Sequence, residues 1–190
     1  MLCAGKKIHD TLLDIENIGT ENITTKYMQE CQLMSSLRHP NITQFLGECY
    51  LPDYRLPLLV MEKLDGSLDD LLETIPSIPL VLKYSMLEDV ARGLLYLHKH
   101  NPQVIHRDLT ARNILLTSSL VAKISDLGNS RMSMLPGEPM TRLPGTLTYM
   151  PPEALGVDAQ YGPSLDIFSF GHLGIYTGLQ VHSFSILSEH

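Results

Sequence analysis

The chain has 190 residues and a formal net charge of −7, with 44% hydrophobic and 18% charged residues. These values are typical of a globular protein with room for one domain or two small lobes, and they exclude a disordered chain. The acidic balance excludes a protein that holds nucleic acid on a basic stripe, and no apolar run reaches the roughly 18 residues of a membrane span.

Cysteine usage indicates a reducing compartment. Cys3, Cys31 and Cys49 are odd in number and match no metal-binding spacing. We interpret them as reduced thiols that serve as small buried apolar residues. The N-terminus lacks the apolar stretch of a signal peptide. A cytoplasmic location is therefore expected.

The first two predicted elements bring a lysine and a glutamate together. Alternation over residues 2–8 predicts a strand in which Lys6 shares its face with three apolar residues. Residues 22–37 predict a helix, and Glu30 lies on its apolar stripe, which comprises Tyr27, Cys31, Met34 and Leu37. Because an unpaired buried charge is costly, we expect Lys6 and Glu30 to form an ion pair. The alternative is a surface lysine and an unrelated helix-end glutamate.

The rest of the chain predicts one hairpin, a series of helices and a long loop. Paired strands are expected over residues 42–50 and 55–62, followed by a short helix capped by Ser67. The further predicted elements are a helix at 80–100, strands at 114–117 and 121–125, a loop at 126–153 and a helix at 165–179. The last helix is apolar almost all round, which predicts burial on every side.

Residues 104–113, which read VIHRDLTARN, contain several polar side chains that a catalytic site could use. Asp108 is a carboxylate that can accept the proton of a hydroxyl nucleophile. Asn113, together with Asp126 of the later Asp126-Leu127-Gly128 stretch, offers the hard oxygen ligands that Mg²⁺ prefers. The alternative is a loop whose polar residues only satisfy their own turns.

Both stretches resemble the catalytic loop and the metal-binding Asp-x-Gly of eukaryotic-type protein kinases, in the same order and spacing. The resemblance implies a two-lobed α+β fold, ATP as phosphoryl donor, Mg²⁺ and a protein substrate. It implies that Lys6, in the stretch Cys3-Ala4-Gly5-Lys6, positions the phosphates and that Glu30 orients Lys6. Asp108 handles the nucleophile, Asn113 and Asp126 hold the metal, and Arg107 pairs with a phosphorylated activation loop.

The resemblance also implies an adenine pocket. Met61 would close its back, Glu62 and Leu64 would offer backbone groups in the hinge, and Ala4 and Leu115 would sandwich the base. Each of these residues is equally compatible with an ordinary place in the core, so both interpretations stay open.

Acceptor specificity is mixed in this sequence. Gly145-Thr146 followed by Tyr149 is similar to serine/threonine kinases, whereas Thr110 and Arg112 are placed as in tyrosine kinases. The combination resembles the tyrosine-kinase-like group, whose members mostly modify Ser or Thr, with Tyr possible. Asp166 matches the helix aspartate that braces the catalytic loop.

The resemblance covers residues 1–180 as a partial kinase domain, with a small-lobe part and hinge start at 1–62 and a large-lobe part at 63–180. Residues 181–190 read as a divergent tail. The match begins at the family's third strand, no G-x-G-x-x-G occurs, and the last helices are not matched. We therefore expect a fragment of low activity. The alternative is a non-catalytic module that binds a partner kinase or a scaffold.

Overall fold

The computed structural model describes residues 3–6, 20–52, 57–133, 149, 151 and 162–179. The strands in these ranges are β1 (Cys3–Lys6), β2 (Phe45–Cys49), β3 (Leu58–Glu62), β4 (Gly66–Ser67), β5 (Gln103–Ile105), β6 (Ile114–Leu116), β7 (Ala122–Ile124) and β8 (Arg131–Ser133). The α-helices are α1 (Thr20–Ser36), α2 (Leu68–Thr74), α3 (Leu80–Lys99) and α4 (Ser164–Leu179). This mixture confirms the predicted α+β class.

The small lobe contains a three-stranded antiparallel sheet in the order β1-β3-β2. These strands confirm the three that the sequence predicts for this region, although each is shorter than predicted. The pairing of β1 with β3 places Lys6 opposite Leu59. Cys3 and Cys49 lie on the two outer strands of this described sheet and are exposed. The prediction that the cysteines are buried is therefore wrong for these two. It is confirmed for Cys31, and all three are free thiols.

Helix α1 covers one side of the small lobe with the predicted apolar stripe. Tyr27, Cys31, Met34 and Leu37 are all buried. Glu30 is only 8% exposed although it is charged, because it shares that stripe. A carboxylate buried in this way requires a cationic partner, and Lys6 of β1 is that partner.

The segment after α1 joins the two lobes. The amide of Arg38 donates to the Tyr96 hydroxyl of α3 at 2.9 Å, and Asn41 Nδ2 donates to the Ala122 carbonyl at 3.0 Å. A Cβ added to Gly93 of α3 would lie 2.8 Å from the Asn41 carbonyl oxygen. Helix α3 therefore approaches this segment so closely that only glycine fits without a shift.

Helix α3 forms the centre of the large lobe. Its buried side chains include Met86, Val90, Leu94 and Leu97, which pack into one core with residues of α1 and of the β6–β7 hairpin. Helix α2 begins at the predicted cap, since the Ser67 hydroxyl accepts the Asp70 amide at 3.0 Å. The Asp70 carboxylate accepts the Ser67 amide in return, which completes a capping box.

The predicted loop at 126–153 contains secondary structure that the sequence did not indicate. Leu127–Asn129 forms a 3-10 turn, and β8 pairs antiparallel with β5. The prediction was wrong there because the β8 sequence, Arg-Met-Ser, has no alternation of its own. Its hydrogen bonds depend on a strand that is remote in sequence.

Helix α4 is buried on one side only. Leu165, Asp166, Ser169, Leu173 and Thr177 are buried, whereas Ile167 is 57% and Ile175 is 60% exposed. The expected burial on every side is therefore wrong. Hydropathy along a helix does not reveal how many neighbours pack against it, and in the described ranges α4 packs mainly on α3. Within those ranges no helix combines the length and apolarity needed to cross a membrane.

Candidate active site

A buried carboxylate shapes the loop that carries Asp108. Asp166 of α4 is fully buried and accepts the backbone amides of His106 at 2.9 Å and Arg107 at 2.8 Å. His98 Nε2 lies 2.7 Å from the same carboxylate. Arg107 has φ of 68°, a left-handed conformation that is unfavourable for a residue with a side chain. The hydrogen bonds to Asp166 hold this turn, as predicted.

His106 connects the loop to the strand that precedes Asp126. Its ring is fully buried. Nδ1 accepts the Asp108 amide at 3.3 Å, so Nε2 carries the proton and donates to the Ser125 carbonyl at 2.9 Å. One side chain therefore fixes the backbone next to both predicted functional carboxylates.

Asp108 and Asn113 contact each other directly. Asn113 Nδ2 donates to the Asp108 carbonyl at 2.7 Å and to its carboxylate at 3.2 Å. The 3-10 turn Ala111–Asn113 reverses the chain between them, closed by a hydrogen bond from the Asn113 amide to the Thr110 carbonyl at 3.0 Å. Because Nδ2 faces Asp108, the Oδ1 atom of Asn113 is the oxygen that remains for a cation.

Lys6 binds two carboxylates from different parts of the chain. Its Nζ atom lies 2.8 Å from Glu30 Oε1 and 2.7 Å from Asp126 Oδ1. The predicted pair with Glu30 is confirmed, and the contact with Asp126 is new. A Cβ added to Gly128 would lie 3.1 Å from both Lys6 Nζ and Glu30 Oε2. Gly128 therefore covers this cluster of charges at close range.

The charges in this cluster shift the pKa values of its members. Burial lowers the pKa of Lys6, but the negative charges of Glu30 and Asp126 outweigh burial and leave the pKa raised. Burial raises the pKa of Asp126, but the Lys6 ammonium and its hydrogen bond outweigh it and leave the pKa lowered. Lys6 and Asp126 therefore stay charged at neutral pH, which suits a site for a phosphate and a cation.

The β6–β7 hairpin sets Asn113 and Asp126 at the same end of one sheet. Asn113 precedes β6 and Asp126 follows β7, and the Ser125 amide donates to the Asn113 carbonyl at 2.8 Å. One amide oxygen and one carboxylate fit a Mg²⁺ ion that takes its other ligands from phosphate and water. Among the described residues no group of three or more His, Cys, Asp or Glu could hold a metal by itself.

Comparison with known proteins supports the interpretation of this geometry. A family model described as "Protein kinase domain" matches residues 3–186. The chain belongs to the protein kinase family. This membership implies a nucleoside triphosphate and a divalent cation as the general requirements of the domain. The boundary predicted at residue 180 stays a prediction, since residues 180–190 lie outside the described residues.

Curated relatives of this kinase domain carry different acceptor specificities in their names. In Dictyostelium discoideum, a probable serine/threonine-protein kinase is 36% identical over 77% of this chain and 14% of its own length. A seven transmembrane domain-containing tyrosine-protein kinase is 40% identical over 77% of this chain and 21% of its own length. A dual specificity protein kinase is 35% identical over 82% of this chain and 7% of its own length. The chain thus spans a quarter or less of these relatives, and the tyrosine-kinase-like grouping stays a prediction.

The predicted adenine-pocket residues lie on three strands and just after one of them: Ala4 on β1, Met61 and Glu62 on β3, Leu64 after β3 and Leu115 on β6. Ala4 is exposed and lies opposite Met61 in the sheet, while Met61, Glu62, Leu64 and Leu115 are partly buried. The Glu62 amide donates to the Gln44 carbonyl at 3.0 Å, so that amide is not available to a base. The sequence could not predict this hydrogen bond, because Gln44 approaches Glu62 only in the folded sheet. The predicted adenine contacts, including one through a backbone group of Glu62, stay predictions.

Two further sets of polar contacts in the kinase domain, one around Glu62 and one around Asp69, were not predicted. The Glu62 carboxylate binds Lys123 Nζ of β7 at 2.8 and 3.0 Å and therefore ties the hinge to the large lobe. Asp69 of α2 accepts Arg112 Nε at 3.0 Å and the Tyr176 hydroxyl at 2.8 Å. The only signal for the first was a lysine between the buried residues of β7. No periodicity pointed to the second.

Several predicted kinase residues cannot be placed. Gly145 and Thr146, on which the predicted acceptor specificity rests, lie outside the described residues. The predicted pairing of Arg107 with a phosphorylated loop therefore stays a prediction.

Proposed function

We propose that this kinase domain transfers the γ-phosphoryl group of ATP to serine or threonine hydroxyl groups of proteins, with tyrosine as a further acceptor. The observation that carries the proposal is the convergence of Lys6, Glu30 and Asp126 within 2.8 Å contacts. These residues come from a strand of the small lobe, from α1 and from the end of β7. They meet next to a loop that holds Asp108 against Asn113.

Each residue of the site has a role that its contacts support. Lys6 Nζ, which lies between two carboxylates, would bind phosphate oxygens of ATP while Glu30 holds it in place. Asn113 and Asp126 would hold Mg²⁺, which when bound neutralises negative charge on the phosphate oxygens. Asp108 would accept or orient the proton of the acceptor hydroxyl. The hydroxyl oxygen would form a bond to the γ-phosphorus. The bond between the γ-phosphorus and the oxygen that bridges it to the β-phosphorus would break, and ADP would leave.

This division of roles makes positioning the main contribution of the protein. The backbone hydrogen bonds from His106 and Arg107 to Asp166 fix the loop that carries Asp108. His106 links the same loop to the strand before Asp126. An acceptor hydroxyl bound at Asp108 and a phosphate bound at Asp126 would therefore be held at a fixed distance and orientation.

The preference for serine and threonine rests on sequence and on relatives. Gly145-Thr146 is similar to serine/threonine kinases, and the relatives include serine/threonine and dual specificity kinases by name. Tyrosine is kept as a further acceptor because Arg112 is placed as in tyrosine kinases.

The test is a phosphorylation assay with matched peptide mixtures whose acceptor is Ser, Thr or Tyr. The chain is incubated with Mg²⁺ and γ-labelled ATP, and label in each mixture is measured. We expect label on Ser and Thr peptides and none with Asp108→Asn, which keeps the size of the side chain but cannot accept a proton. Equal labelling by the parent and by Asp108→Asn would contradict the proposal, and so would labelling of Tyr peptides alone.

A further inference from the structure

His98 joins the last turn of α3 to the first turn of α4 through a hydrogen bond to Asp166. Its Nε2 atom lies 2.7 Å from Asp166 Oδ2, and the His98 side chain is 12% exposed. The Asp166 side chain is fully buried. A carboxylate withdrawn from water in this way depends on neighbouring groups of the protein for its hydrogen-bond donors.

Asp166 accepts three hydrogen bonds in the part of the chain that the structure describes. Two come from the backbone amides of His106 and Arg107, and the third comes from the ring of His98. Because a carboxylate can only accept, Nε2 of His98 carries a proton in this contact. Among the described residues, His98 is therefore the one side chain that donates to Asp166.

The turn at Arg107 depends on how this carboxylate is oriented. The His98 ring and the His106 amide both approach Oδ2, whereas the Arg107 amide donates to Oδ1. Donors on Oδ2 fix the plane of the carboxylate and keep Oδ1 directed at Arg107. Arg107 has φ of 68°, a conformation that persists only where the surrounding structure imposes it. Asp108 is the next residue, so the direction of its side chain depends on this turn.

The backbone of His98 is fixed as well. Gln103 Nε2 donates to the His98 carbonyl at 2.9 Å. Gln103 is the first residue of β5, the strand that leads directly into the loop with Asp108. The imidazole is therefore presented to Asp166 from a helix end that is itself tied to the start of that strand.

We propose that His98 is a positioning residue for Asp108. Its hydrogen bond orients the Asp166 carboxylate, which holds Arg107 in the strained turn that sets Asp108 at the acceptor hydroxyl. This inference rests on the phosphoryl transfer proposed above. Because Asp166 lies between His98 and the loop, loss of the hydrogen bond should slow the transfer step and leave the binding of ATP and peptide largely intact.

Two substitutions separate the hydrogen bond from the space that the ring fills. His98→Phe keeps a planar ring and removes the donor, whereas His98→Gln keeps an N–H donor near the position of Nε2. Both are assayed for kcat and KM with γ-labelled ATP and the serine peptide mixture. We expect His98→Phe to lower kcat at least about tenfold, with KM for ATP and peptide within about twofold of the parent. His98→Gln should recover most of the lost kcat.

His100→Phe is the matched control for the loss of a histidine hydrogen bond at this end of α3. His100 Nδ1 lies 2.9 Å from the Pro102 carbonyl, and its ring does not contact Asp166. This variant should therefore keep the kcat of the parent. Parental kcat in His98→Phe would overturn the proposal, and so would an equal loss in His98→Phe and His98→Gln or in His98→Phe and His100→Phe.

Hydrogen exchange of the loop amides tests the inference without ATP, so that its failure can be told from failure of the proposed function. Exchange of the His106 and Arg107 amides, which donate to Asp166, is measured by NMR in the parent and the three variants. We expect His98→Phe to speed both at least about tenfold and His98→Gln to restore slow exchange. Parental exchange rates in His98→Phe contradict the inference. A parent with slow exchange but no label transfer contradicts only the proposed function.

Discussion

Replacement of Lys6 by methionine tests whether the charge cluster stabilises the domain as its geometry indicates. Methionine keeps an unbranched apolar side chain of similar length but removes the cation that lies 2.8 Å from Glu30 and 2.7 Å from Asp126. Glu30, at 8% exposure, would then be a buried carboxylate that has lost its cation. Removal of one partner from a fully buried ion pair costs about 3–5 kcal/mol.

Solvent reduces the expected cost in this case. The side chain of Lys6 is 31% exposed and that of Asp126 is 44% exposed, so water screens part of the interaction. We therefore expect a loss of about 2 kcal/mol in the free energy of unfolding. For a chain of this length about 1 kcal/mol shifts Tm by about 2–4 °C, so Tm should fall by about 4–8 °C.

The assay is thermal unfolding followed by circular dichroism, with Lys99→Met as the control. Lys99 is exposed at the end of α3. An exposed cation in the last turn of a helix contributes about 0.3–1 kcal/mol, so its replacement should lower Tm by less than Lys6→Met does. The double variant Lys6→Met/Glu30→Gln should lose less than the sum of the single changes, because the glutamine leaves no buried charge. If Lys6→Met melts within the error of the parent, the cluster contributes nothing to stability and the reasoning fails.

Three further predictions concern metal binding, the pH dependence of stability and the close packing of α3. Mg²⁺ with ATP should raise the Tm of the parent but not of Asp126→Ala, and an equal rise in both would show that Asp126 holds no metal. The lowered pKa of Asp126 means that its contribution to stability is full above the carboxyl's unfolded pKa and is lost as pH falls through the folded value. The raised pKa of Lys6 means that its contribution is full below the unfolded pKa and is lost as pH rises through the folded value, so Lys6→Met should flatten both limbs of a Tm–pH curve. Gly93→Ala should lower Tm because its Cβ would lie 2.8 Å from the Asn41 carbonyl, whereas Gly174→Ala, with nothing within 4 Å, should not; equal Tm values would contradict the close approach.

Local patterns predicted most of the regular elements and the ion pair between Lys6 and Glu30. The burial of Tyr27, Met34 and Leu37 follows from helical spacing, and the start of α2 follows from the cap at Ser67. Lys6 and Glu30 could be paired in advance because each was a charge on an apolar face, and such charges must find partners.

Contacts between remote segments were beyond the reach of these patterns. The direct contact of Lys6 with Asp126, the tie between Glu62 and Lys123, and the β5–β8 pairing join residues that are far apart in sequence. The partner in each of these contacts could not be identified from the local sequence, because only the fold brings the two segments together. The exposed Ile167 and Ile175 show the same limit, because a helix does not encode how many elements cover it.

The sequence by itself determined which groups are available for chemistry: Asp108, Asn113 and Asp126 in the order and spacing of protein kinases, and a lysine and a glutamate that had to meet. Their mutual geometry was decided only in three dimensions, by the buried Asp166, by His106 and by the close packing of α3 on the segment that joins the lobes. The physical reason is that side-chain spacing along a strand or helix is a local property. Burial and charge pairing depend instead on which distant segments share the same space.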